Sequence, residues 1–330
     1  MRYLITGGAG YIGSRLVERL SQHDDVERIV IADLRAPKFR PKTAFAELDV
    51  RDRAACAELF ARERPDVLIH LAFLLNPIRD EARSYAVDVG GTQSVLDAAS
   101  AAGIGHVLVT SSTTAYGAFP DNPVPITEEQ PVRGVPEFSY AVHKTEADRL
   151  CQLWALEHPE RVMTIVRPCI VLGPTVDNYI IRTLADQPFA PDFGGEPNPI
   201  QFVHEDDVVE ALVTLVEGRH AGAFNVAADG VMTGAECADL AGIPRRRLPL
   251  GLFRRFVGLM WRLGQAEAPP GSLAFSLHPW IVSNAKLKRE TGWQPAHTSR
   301  ETLEMTLRSR GVLPAVERGE GGSAGVPAAA

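Results

Sequence analysis

Tyr140 and Lys144 stand four residues apart in a strongly helical stretch, which puts a phenol and an ammonium on one helix face. The chain has only six Tyr, so such a pairing is an uncommon accident. A phenol that titrates at about pH 10 is a poor base at neutral pH, but a neighbouring cation stabilises its anion and makes it a usable acid and base. Upstream, the apolar run His106 to Ser111 ends in Ser111-Ser112-Thr113-Thr114. Those hydroxyls can hydrogen-bond an oxygen that alternates between alcohol and carbonyl, although such a run also suits helix capping and turns.

A second group of residues prepares a place for an anion. Thr6-Gly7-Gly8-Ala9-Gly10-Tyr11-Ile12-Gly13 satisfies GxGxxG through Gly8, Gly10 and Gly13, and GxxGxxG through Gly7, Gly10 and Gly13. At a strand-to-helix turn, unpaired amides and the helix dipole favour a pyrophosphate, and missing Cβ atoms allow its close approach. The second apolar run ends in Asp33, 20 residues after Gly13, where a carboxylate can bind an adenosine ribose. That carboxylate would repel a 2′-phosphate, which favours NAD over NADP; Arg35 keeps NADP open. An oxidised nicotinamide beside Tyr140 would add to the effect of Lys144, which would also hold the nicotinamide ribose.

The elements that must position these groups alternate. Strands are expected at Arg2 to Thr6, Arg28 to Asp33, Val67 to Ala72, His106 to Ser111 and Met163 to Arg167, with helices at Ile12 to Ser21, Arg53 to Glu63, Glu81 to Ala102 and Glu137 to His158. Strict alternation predicts an α/β fold, a Rossmann-type doubly wound parallel sheet covered on both faces. After Pro174 four prolines break the rhythm, and a smaller C-terminal substrate domain begins. The expected division is residues 1–174, with 201–227 returning to that domain, then 175–200 and 228–315 for the substrate domain. Residues 316–330, rich in Gly, Ala and Pro, read as a disordered tail.

Composition limits the rest. Length 330, 45% hydrophobic and 23% charged residues describe an ordinary globular protein, and a net charge of −7 gives no reason to bind nucleic acid. Four scattered Cys without paired spacing read as reduced thiols, and the first residues lack a signal-peptide pattern, so cytoplasmic residence is expected. Leu248 to Leu263, interrupted by Arg254, Arg255 and Arg262, is too short to span a bilayer. It reads as an amphipathic helix capping a substrate pocket, with a membrane-surface role as the alternative because Phe253, Phe256 and Trp261 mix with the arginines. No membrane partner is expected. His204-Glu205-Asp206-Asp207 reads as a capped helix start rather than a metal cluster, and no metal is expected.

Taken together, TGGAGYIG, Asp33, Asp49-Val50, His70-Leu71-Ala72, Ser112, Tyr140-x-x-x-Lys144, Arg167-Pro168 to Gly173-Pro174, Phe202-x-His204-x-x-Asp207 and Gly292-Trp293-Gln294-Pro295 resemble the extended short-chain dehydrogenase/reductase family, the NAD-dependent epimerase/dehydratases. The resemblance runs from residue 1 to about 310. It implies Tyr11 and Ile12 along the pyrophosphate, Asp49 and Val50 at the adenine, Leu71, Ala72 and Pro168 lining the cofactor, and a homodimer built through the Tyr140 helix. It also selects Ser112 as the catalytic hydroxyl, four places before Tyr116-Gly117, with Ser111 behind it.

Departures from that family narrow the chemistry. Thr113 and Thr114 stand where its dehydratases carry Asp-Glu, Ile170 replaces the Asn of its epimerases, and Ile200-Gln201 replaces the Arg-Asp whose arginine contacts a sugar nucleotide's pyrophosphate. Phe73, Thr113 and Thr114 are expected at a small-molecule substrate that is less charged than a nucleotide sugar. Arg182, Arg219 and Arg245 to Arg247 could still supply phosphate contacts, and Asp88 replaces a usual Asn. The expected activity is hydride transfer between nicotinamide and a secondary alcohol or ketone carbon. A nucleotide-sugar 4-epimerase with tightly held NAD and a non-catalytic dinucleotide sensor are the alternatives.

Overall fold

The computed structural model describes residues 1–38 and 40–314; the expected tail lies outside them. Strands β1 (Arg2–Thr6), β2 (Arg28–Asp33), β3 (Thr43–Glu47), β4 (Val67–His70), β5 (His106–Thr110) and β6 (Val162–Pro168) join Gly222–Val226 in one parallel sheet. Across the sheet the order is Gly222–Val226, β6, β5, β4, β1, β2, β3. The continuous apolar runs of β2, β4 and β5 form strands because both faces of the sheet are covered. Alternate side chains point to opposite sides: Tyr3, Ile5, Ile29, Ile31 and Ile69 enter one core, and Leu4, Val30, Leu68, Val107 and Val109 the other.

Helices α1 (Tyr11–Ser21), α2 (Arg53–Glu63), α3 (Glu81–Tyr85), α4 (Gly91–Ala101) and α5 (Ser139–Glu157) follow in chain order. The expected continuous helix over 81–102 is interrupted by a π-helical turn, Ala86–Gly90, that contains Asp88. Edge strand β3 carried no sequence signal, because TAFAE is half exposed and short of large apolar residues. Beyond β6 come α6 (Tyr179–Ala185), α7 (Glu205–Glu217), α8 (Gly234–Leu240) and α9 (Leu250–Leu263).

The stripe of α9 does not behave as core. No residue of that helix is buried and its apolar ridge faces solvent, while Trp261 on another side lines a cleft with Ile78 and Arg79. The acidic cluster at the start of α7 serves structure: His204 caps the helix, Glu205 meets Tyr11, Arg15 and Thr175, and Asp207 accepts the amides of Ala296 and His297.

Candidate active site

The glycine turn is shaped by close approach. Gly7 has φ +71°, and a Cβ there would lie 2.6 Å from the Ala72 nitrogen; a Cβ on Gly13 would lie 2.3 Å from the Gly7 carbonyl. Only glycine fits either position. Gly10 is the N-cap of α1 without a side-chain partner, so the first amides of an 11-residue helix, those of Tyr11 and Ile12 among them, open at the carboxyl edge of the sheet. At the end of β2 the Asp33 carboxylate accepts the Ala9 amide at 3.0 Å and thereby fixes the turn. Val50 packs closely on Gly91, and Asp49 pairs with Arg51, which pulls its carboxyl below the usual range. Leu71 and Ala72, past β4, pack against the two cores, and Pro168 ends β6. These parts fit a dinucleotide: a cradle that any Cβ would fill, a helix N-terminus for an anion, and a carboxylate where a ribose would lie.

At the tip of β5 the chemistry-bearing residues converge. Ser112 is nearly buried, caps the turn Thr113–Tyr116 by accepting the Thr114 amide, and its hydroxyl neighbours the Tyr140 phenol closely enough to shift it. Tyr140 lies in the first turn of α5. Burial pushes its phenol well above the ordinary range; the neighbouring Tyr179 phenol adds to the shift and the Ser112 hydroxyl opposes it. The lowering expected from Lys144 is not seen: burial governs the phenol, and Lys144 is not among the groups that shift it. Lys144 is itself buried, which lowers it to about 8 against the opposing pull of Asp88 and Asp148. Its Nζ donates to the Thr110 carbonyl at 2.9 Å and sits 3.5 Å from the centroid of the Phe73 ring. The hydroxyls of Ser111, Thr113 and Thr114 have no partner among the described residues.

Around Tyr140 the walls are apolar. Phe73 meets its ring edge-on at 5.8 Å, Phe138 lies at 5.8 Å, and Leu75, Tyr179 and Phe275 complete the cluster. Tyr179, Phe138 and Phe275 carried no sequence signal, because nothing in their spacing ties them to Tyr140. The π turn explains Asp88, whose role the sequence left open, and pairs it with His143. The Asp88 carboxylate accepts the Leu74 amide at 2.9 Å and lies 3.0 Å from His143 Nδ1, so it ties the segment carrying Phe73 to α5. His143 is buried, not a surface residue.

Residues 3–227 match the family model for the NAD dependent epimerase/dehydratase family. The chain belongs to that family, and so is an NAD-dependent enzyme of the oxidoreductase type. It is 28% identical to the UDP-glucose 4-epimerase of Mycolicibacterium smegmatis, over 93% of this chain and 97% of that one. It is 26% identical to the 3-diazoavenalumate denitrifying reductase of a Streptomyces species, over 91% and 97%. Among solved structures, the UDP-glucose 4-epimerase of Thermus thermophilus in complex with NAD superposes with TM-score 0.72 at 25% identity, covering 95% of this chain and all of that one (100%). No helix among the described residues is long and apolar enough to cross a membrane.

Proposed function

We propose that this enzyme moves hydride between NAD and a secondary alcohol or ketone carbon, with Tyr140 as acid and base, Lys144 holding the nicotinamide ribose and Ser112 placing the substrate oxygen. The reading rests on the convergence of Ser112, Tyr140 and, one helical turn along, Lys144, at the carboxyl edge of the sheet beside the glycine cradle. When bound, the nicotinamide supplies or accepts the hydride. The chain does the rest. Tyr140, neutral in its buried setting, gives its proton to the substrate oxygen during reduction, and Ser112 holds that oxygen in line. Gly7, Gly10 and Gly13 with the amides of Tyr11 and Ile12 hold the pyrophosphate. Asp33 holds the adenosine ribose, Asp49 and Val50 the adenine, and Leu71, Ala72 and Pro168 the remaining cofactor surface.

The substrate is small and uncharged around its reacting carbon. The arginines that could have met a diphosphate are engaged elsewhere. Arg182 is held by Asp177 at 2.9 Å and Glu267 at 3.1 Å, Arg245 by Asp239 and Arg247 by Asp192, while Arg246 lies over the Phe189 ring. Arg219 donates to the Gly105 carbonyl at the opposite edge of the sheet. Gln201 is buried and occupied by the backbone of Ala228 and Val282. Burying a diphosphate without cationic partners would be costly. Phe73, Thr113 and Thr114 then contact the substrate.

Exposed Tyr85, Leu153 and Leu156 on α3 and α5 suit a homodimer, which sedimentation equilibrium returning only monomer would rule out. Four buried free thiols suit the cytoplasm. The functional test is a panel of aryl and alicyclic ketones beside UDP-glucose, read by NADH oxidation. Tyr140→Phe should keep NADH binding and lose about 10²–10⁴-fold in turnover. Turnover of UDP-glucose with NAD retained through dialysis would instead establish the epimerase.

A further inference from the structure

Helix α9 shows to solvent the side chains that an amphipathic helix ordinarily hides. Leu252, Phe256, Leu259 and Leu263 remain 66%, 54%, 53% and 60% exposed. At 3.6 residues per turn these four fall within about 60° of arc and form one ridge, with Arg255 and Arg262 along one flank. The opposite side holds the helix to the body: Phe253 packs on Phe193 with centroids 5.4 Å apart, Gly258 lies against Pro270, and Arg254 reaches Glu137 at 4.0 Å.

Charge separates here as well. From Arg245 to Leu263 the chain carries six arginines and no Asp or Glu, although the whole protein bears −7. Arg245, Arg247 and Arg254 meet Asp239, Asp192 and Glu137, which leaves the uncompensated charge on Arg246, Arg255 and Arg262 among the described residues. The strand Arg245–Arg247 is exposed throughout. Arg255 and Arg262 have no carboxylate within ion-pair distance among the described residues, so the flank of the ridge keeps its charge for something outside the molecule.

We propose that this ridge docks the enzyme peripherally on an anionic phospholipid bilayer, with α9 lying in the plane of the interface. The leucines and Phe256 would enter the headgroup–acyl boundary, and the arginines would face the lipid phosphates. A 14-residue helix, about 21 Å long, is too short to span and the right size to lie flat. A second copy of this chain is a poorer occupant, because two-fold pairing would set the same arginines against each other. The inner side of α9 reaches Glu137, three residues before Tyr140, so docking brings the aromatic-walled site close to the bilayer surface. The proposal takes up the membrane-surface alternative that the mixed basic and aromatic residues of this helix left open in the sequence.

The test is co-sedimentation of the full chain with vesicles of phosphatidylcholine alone and of phosphatidylcholine mixed with phosphatidylglycerol, at low and high salt. Binding should require phosphatidylglycerol and weaken with salt. Arg255→Ala and Arg262→Ala should each weaken it roughly fivefold. Phe256→Asp with Leu259→Asp should weaken it at least about tenfold while leaving the thermal melt unchanged, since both side chains are exposed. Three outcomes overturn the proposal: equal binding to both vesicle types, binding untouched by the double variant, or a wild-type oligomer that the double variant dissolves.

Discussion

Tyr140 is a neutral phenol in the protein alone, and the direction of its shift follows from where the side chain sits. Burial dominates, so the group is set to donate a proton rather than to hold a negative charge. Lys144 is the group nearer its titration range. With burial lowering it to about 8, it is an ammonium below that pH and a neutral amine above it. Ketone reduction should therefore be flat below about pH 8 and fall as Lys144 loses its proton, and Lys144→Met should remove that step from the pH–rate profile. A profile in Lys144→Met that still falls at the same pH would assign the step to another group. That Tyr140 and Lys144 share a helix near the hydroxyl run was legible, because residue type and i, i+4 spacing are local properties of the sequence. Tyr179 and Phe275 were not, since they reach Tyr140 from short helices far along the chain, Tyr179–Ala185 and Ala274–Leu277. The pairing of Asp88 with His143 was equally hidden: Asp88 stood out in sequence, but 55 residues separate it from His143, which lies 3.0 Å away in the fold.

Helix α5 carries both Tyr140 and Lys144, so its seating decides the site. Its anchor is a buried network: Arg167 of β6 forks onto Asp148 with two bonds of 2.8 Å and donates to the Tyr116 hydroxyl at 2.7 Å, and that hydroxyl donates in turn to Asn225. Asp148→Ala would leave a buried guanidinium unpaired, and urea unfolding should show a loss of about 3–5 kcal/mol. A loss below about 1 kcal/mol would mean that the helix is held by packing alone. The order of strands and helices was readable from alternating apolar runs, because a parallel sheet covered on both faces demands such runs. Strand β3 and the π turn were not, because an edge strand needs few large apolar residues and a π turn leaves no mark in hydrophobic period.

Across the whole molecule, the sheet that supports the site also buries histidines in neutral form. His70 lies between Thr6 and Thr92 and is lowered to about 3 by burial; His106 in β5 is lowered to about 4. Unfolded histidine takes up a proton below about pH 6.5, which these two resist while folded, so their contribution is full above that pH and declines as pH falls toward 4. Between pH 7 and 5 each should cost about 2 kcal/mol of stability, and His70→Asn should flatten the dependence. A stability that holds level to pH 5 would show that the histidines accept protons within the fold. A crystal structure with NAD bound would show whether the glycine cradle and the Ser112–Tyr140–Lys144 group serve one cofactor. In it the pyrophosphate should lie on the N-terminus of α1, the adenosine ribose at Asp33, and the nicotinamide ribose on Lys144 with the ring beside Tyr140, leaving a reacting carbon about 3.5 Å away. A cofactor bound with its nicotinamide turned away from Tyr140, or held at another edge of the sheet, would contradict this arrangement.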